Sequence, residues 1–95
     1  MNRVQLSAAA WRTEQDVHEA LRQALSFPAH YGHNLDALHD CLTELDSTQL
    51  VIEDCALAAE KLERWDKFLM VFFDAAMENP SLNIRLLPGN GDYGN

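Results

Sequence analysis

Between Gln23 and Glu60 the sequence contains no lysine and no arginine, and the whole chain carries a formal net charge of −8. Both observations argue against binding to nucleic acid or to an anionic membrane surface, each of which requires basic surface. Long apolar runs are missing as well. The longest, Phe68-Leu69-Met70-Val71-Phe72-Phe73, is six residues, against the roughly 20 needed to cross a bilayer. Cysteine is scarce: Cys41 and Cys55 are too few for a disulfide framework. The opening Met1-Asn2-Arg3-Val4-Gln5-Leu6 shows no basic region followed by an apolar stretch, so a reduced, cytoplasmic setting is the expectation. There is no internal repeat, no interdomain linker, no glycine-rich phosphate loop and no nucleophile-elbow spacing. What remains is a chain of 95 residues, 47% hydrophobic, sized for one domain with a modest core.

Within the stretch that lacks cations stand seven acids: Asp36, Asp40, Glu44, Asp46, Glu53, Asp54 and Glu60. They cluster around Pro28-Ala29-His30-Tyr31-Gly32-His33-Asn34-Leu35-Asp36-Ala37-Leu38-His39-Asp40-Cys41-Leu42, a glycine-hinged loop running into a helix. At about 100° per residue, Leu35, Leu38, Leu42 and Leu45 share one stripe while Asp36, Asp40 and Glu44 share the opposite one. Like charges one turn apart cost a helix roughly 0.2 to 0.5 kcal/mol per pair, and no cation sits between them. Asp36 in the first turn benefits from the helix dipole and Asn34 is a good N-cap, but that benefit fades by Asp40 and Glu44. Stability alone favours a lysine there. The pattern reads as a docking surface for a positively charged partner; an ordinary solvated acidic face is the alternative.

The remaining elements alternate. Val4 and Leu6 suit a short strand, and Thr13 with Asp16 resembles a capping box ahead of a helix from Glu14 to Leu25 that Phe27-Pro28 stops. The acidic helix is expected to end near Asp46-Ser47. Gln49-Leu50-Val51-Ile52-Glu53 reads as a buried strand, with parallel pairing to the first. Leu62, Trp65, Leu69, Phe72 and Ala76 then keep helical spacing over roughly Leu57 to Glu78, Pro80 closes that pattern, and Leu82, Ile84 and Leu86 alternate in a last strand. Pro88 to Asn95 reads as a flexible tail after a domain spanning 1–87. Strands joined by helical crossovers imply a small parallel sheet with helices packed on it, an α/β single domain.

Few residues suggest chemistry of their own. His30, His33 and Asp40 could be weighed as a zinc set, but the two histidines flank Gly32 in a loop and do not share a helical face. Asp36 and Asp40 have the spacing of a general acid and base, without any supporting motif. Cys41 and Cys55 read as small core hydrophobes, His18 as a partly buried structural histidine, and Trp65, Phe68, Phe72 and Phe73 as core aromatics. No enzyme, metal or cofactor is expected.

Tyr31-Gly32-His33-Asn34-Leu35-Asp36-Ala37-Leu38-His39-Asp40-Cys41-Leu42-Thr43 resembles the signature of the barstar family, small cytoplasmic inhibitors of an extracellular ribonuclease. Weaker likeness extends through Asp16-Val17-His18, Leu50-Val51-Ile52-Glu53, and Val71-Phe72 with Asp74, so the resemblance covers nearly the whole chain. It implies a three-stranded parallel sheet with about four helices. It also implies that the loop and second helix plug the active site of a basic ribonuclease, with acids where substrate phosphates would lie. Asp40 then takes the central role, Asp36 pairs with a basic residue nearby, Asp74 corresponds to an outlying glutamate, and Gly32, Asn34, Leu35, Thr43 and Glu44 supply loop and helix contacts. His30, Tyr31 and His39 belong to the same surface, His30 and His39 standing where the family archetype carries aromatics. The implied partner is one basic ribonuclease met by a monomer, with toxin immunity as one context and a basic partner that is not a nuclease as the alternative.

Overall fold

The β-branched run does form the central strand: β2 (Thr48–Glu53) lies between β1 (Asn2–Ser7) and β3 (Leu82–Leu86), parallel to both. A computed structural model describes residues 2–89. In register, Val4, Leu50 and Ile84 line up across the sheet, followed by Leu6, Ile52 and Leu86. Alternation sends Leu50, Ile52 and Leu82 into the core and leaves Arg3, Gln5, Asn83 and Arg85 exposed. Val51 sits outside the main core cluster yet is buried, with Gln5 and Arg85 as its register neighbours, while Gln5 donates to the Glu53 carboxylate beside it.

A 3₁₀ turn (Ala8–Ala10) leads to α1 (Glu14–Leu25), and the Thr13/Asp16 capping box is present. The Thr13 hydroxyl accepts from the Asp16 amide, and the Asp16 carboxylate accepts from the Arg12 and Thr13 amides. Those bonds, the Arg12 amide foremost, hold the Asp16 carboxyl below the usual range. Next comes α2 (Leu35–Thr43), with Asn34 as its N-cap. It stops earlier than its apolar stripe suggests. Buried Asn79 donates through Nδ2 to the carbonyls of Leu42 and Leu45, both at 3.0 Å, and so satisfies groups that a continuing helix would have bonded internally.

The pattern expected to form one helix over 57–78 is two helices, α3 (Cys55–Lys61) and α4 (Trp65–Glu78). No proline or glycine marks the break. Leu62 adopts extended backbone, which lets it and Trp65 both reach the core, where Trp65 packs on Trp11 with ring centres 6.2 Å apart. Apolar spacing of three and four runs straight through this corner, which is why spacing cannot reveal it. Pairing continues past β3: the Leu87 and Pro88 carbonyls accept from the amides of Cys55 and Ala56, both at 2.9 Å. The rest of the expected tail, from Asn90, lies outside the described residues.

The core gathers Leu21, Leu38, Leu42, Leu50, Ile52, Trp65, Phe68 and Phe72 between the sheet and the helices. Phe73 does not join it, being 66% exposed. With Leu69, Phe72, Ala76, Ile84 and Leu86 it lines a shallow apolar groove between α4 and the edge strand β3. Cys55 is buried and Cys41 partly so, each thiol pushed up by burial, and neither is in a disulfide. No helix among the described residues is long and apolar enough to cross a membrane.

Candidate functional site

The acidic helix is presented by a loop whose shape is over-determined. The Tyr31 amide donates to the Pro28 carbonyl at 3.0 Å, closing a turn. The left-handed residue that follows is His33, at φ 51°, and not Gly32. Glycine is needed at position 32 for a different reason: a Cβ there would stand 3.0 Å from Asn34 Nδ2 and 3.5 Å from the Ala37 Cβ. Asn34 works in both directions. Its Oδ1 accepts from the Ala37 amide at 2.8 Å, which caps α2, and its Nδ2 donates to the Gly32 carbonyl at 3.3 Å. Loop and helix are thereby joined at one side chain.

From this base α2 projects Asp36, Asp40 and Glu44 into solvent, with Leu38 and Leu42 fully buried behind them. The Asp40 side chain is 80% exposed. Glu44 stands at the C-cap, so the last acid of the row sits where the helix ends. Alongside, α4 packs on α2 and contributes exposed Asp74 and, one turn later, exposed Glu78. His39 links the two helices: its Nε2 lies 3.1 Å from Glu78 Oε2, while its Nδ1 is 3.9 Å from Asp40 Oδ1. Among the described residues no Lys or Arg pairs with Asp36, Asp40, Glu44, Asp74 or Glu78. Two acids, one from each helix, thus flank the His39 imidazole, and the exposed acids of this face sum to a negative field that no paired Lys or Arg among the described residues offsets.

The other expected contact residues divide. His30, Gly32 and Asn34 are exposed on the loop. Leu35 and Thr43 are half-buried, and the Thr43 hydroxyl donates back to the Asp40 carbonyl at 2.9 Å. Tyr31 is placed elsewhere: it is 5% exposed, its ring packed on Phe27 and its hydroxyl 2.6 Å from His18 Nδ1. What Tyr31 offers this surface is loop shape, not a ring to touch.

His30, His33 and Asp40 do not converge. Both ring nitrogens of His33 are already engaged, with Glu19 and with the Tyr31 carbonyl, and no group of three or more metal-ligating side chains assembles among the described residues. Spacing alone missed Glu78, although its position one turn beyond Asp74 was available as a signal. It also missed Asn79, whose role needs α2 and α4 side by side and leaves no trace in local sequence.

A model of the family described as "Barstar (barnase inhibitor)" matches residues 1–87. Among curated proteins, one named "Putative ribonuclease inhibitor YrdF", from Bacillus subtilis (strain 168), is 40% identical over 43 residues. That stretch is 45% of this chain and 47% of the relative, so the match spans about half the length of each.

Proposed function

The chain belongs to the barstar family, and from that premise we propose that it is a proteinaceous ribonuclease inhibitor that covers the active site of a basic ribonuclease with its acidic loop and helix face. The observation that carries the reading is the group Asp36, Asp40, Asp74 and Glu78, exposed on two packed helices and free of Lys or Arg partners among the described residues. A ribonuclease site built to grip phosphates is positive. Carboxylates held on a pre-formed surface can occupy it with little ordering cost, since the loop and N-cap already fix their geometry.

Nothing in this role requires bond-making by the inhibitor. Asp40, at the middle of α2, enters deepest, Asp36 and Asp74 meet basic groups to either side, and Gly32, Asn34, Leu35, Thr43 and Glu44 fill out the contact. His30 and His39 sit on the same surface and set which ribonuclease fits, because a histidine buries less area than a tyrosine or tryptophan. The free protein acts as a monomer, and a toxin ribonuclease made by the same cell is the natural target of such an immunity function.

The test is titration of barnase activity on RNA with the purified chain, beside a pull-down of ribonuclease activity from source-cell lysate and culture medium. Asp36→Ala/Asp40→Ala serves as the control. Activity retained by wild type alone supports the reading. Retention of a basic protein without ribonuclease activity replaces it with a different acidic interaction module.

A further inference from the structure

Beneath the loop lies a cluster of titratable groups that the acidic face does not use. His18, on the inner side of α1, is 2% exposed, and its Nδ1 is 2.6 Å from the Tyr31 hydroxyl. Tyr31 is buried as well, and burial pushes its phenol well above the ordinary range, so the hydroxyl keeps its proton and is able to donate. With the neutral ring's proton on Nε2, the tautomer on which the latch below is built, His18 Nδ1 accepts that bond. On the other side of the loop, His33 Nε2 lies 3.1 Å from Glu19 Oε1 and its Nδ1 3.0 Å from the Tyr31 carbonyl. The loop is therefore tied to α1 twice, through the Tyr31 side chain and through its backbone.

Every element packed around His18 bears on its charge. From α1, Glu14 favours the cation. From the loop come Tyr31 and His33, the latter with its ring centre 5.9 Å away. From α4 the ring meets Phe68, at 5.2 Å between centres, and α2 contributes Cys41, a neutral thiol bordering Tyr31. Burial first, and His33 second, hold His18 below the usual imidazole range against the opposing pull of Glu14.

From this juxtaposition we propose that His18, Tyr31, His33 and Glu19 form a latch that holds the loop against α1, and that uptake of one proton by His18 opens it. A protonated Nδ1 can only donate. The Tyr31 oxygen must then turn from donor to acceptor, its own proton loses its partner, and a cation is left in a buried site facing a second imidazole. Release of the loop hydrates the ring and relieves both costs, at the expense of the geometry that places Gly32 and Asn34 under the start of α2. No covalent bond changes; a single proton comes from solvent. His18 and His33 are positioning residues for the surface. The consequence for ribonuclease binding rests on the function proposed above, whereas the latch itself does not.

Amide hydrogen exchange on the free full chain, from about pH 7.5 to about pH 5 and converted to protection factors, tests it. The reporters are the Tyr31 amide, bonded to the Pro28 carbonyl, and the Ala37 amide, bonded to Asn34 Oδ1, with the Leu50 amide in β2 as a core reference. Protection at both reporters should fall severalfold in wild type as pH drops below about 6.5 while Leu50 holds. In His18→Asn, which offers an oxygen near the Nδ1 position and cannot titrate, both reporters should stay flat. Tyr31→Phe should be poorly protected already at the upper pH and show no further step. Flat protection in wild type, or the same acid step in either variant, overturns the latch. Capture of ribonuclease activity from source-cell lysate and culture medium at the upper pH, together with barnase inhibition, separates the two ideas: the absence of both refutes the ribonuclease reading and leaves the exchange result standing.

Discussion

Asp40 gathers the features that a phosphate mimic needs. Its carboxylate is 80% exposed, it is anchored on a helix whose opposite side is fully buried, and Thr43 braces its backbone from one turn on. Glu63 is also exposed but sits in the corner between α3 and α4. Asp40→Ala should therefore weaken inhibition of barnase more than about tenfold. Glu63→Ala, an exposed change outside the acidic face, should alter it less than about twofold. Equal losses measured by inhibition titration would show that net charge, not this surface, drives binding.

Among elements, α2 depends on what grips its two ends. Asn34 caps the start and holds the Gly32 carbonyl, while Asn79, from the end of α4, takes the Leu42 and Leu45 carbonyls at the finish. Asn79 is 7% exposed, so truncation leaves both carbonyls short of a donor with little water to replace it. Asn79→Ala should cost about 1–3 kcal/mol of stability in urea denaturation. Because the lost bonds lie at the rear of α2, purified folded variant should still inhibit barnase at saturating concentration. A variant with unchanged stability would mean that α2 ends where it does for some other reason.

For the whole molecule, pH and salt act through different groups. His18 is held below its ordinary range in the fold, so below about pH 6.5 the unfolded chain binds more protons than the native state. Its contribution to stability is thus full above that pH and is lost as pH falls from there through the lowered native value. Glu19 is depressed to about 2, chiefly by the Arg22 hydrogen bond and next by His33, so its contribution is present above about 4.5 and is lost as pH falls toward 2. Thermal melts from pH 8 down to about 5 should show the first decline, and His18→Asn should flatten it. Salt acts on encounter: with the acids of α2 and α4 unneutralised, higher ionic strength should slow association with barnase far more than it speeds dissociation, and stopped-flow rates indifferent to salt would contradict electrostatic steering.

The strands, the Thr13/Asp16 box, the Asn34 cap and the division of α2 into a leucine side and an acid side were all determined by the sequence, because each depends on residues within one or two turns of one another. The chain order of strands and helices likewise implies a parallel sheet. Other features depend on residues distant along the chain, and only the tertiary structure decided them. Asn79 ends α2 across a gap of more than thirty residues, Leu62 and Trp65 turn a single apolar pattern into two helices to meet Trp11, and His39 finds Glu78 because two helices pack side by side. Tyr31 shows the limit most plainly. Its place in the signature motif marks it as part of the surface, yet a hydrogen bond to His18, thirteen residues away, draws it into the core. A large aromatic gains more from burial with its hydroxyl satisfied than from exposure, and whether a partner for that hydroxyl lies within reach is settled by the packing of α1 against the loop.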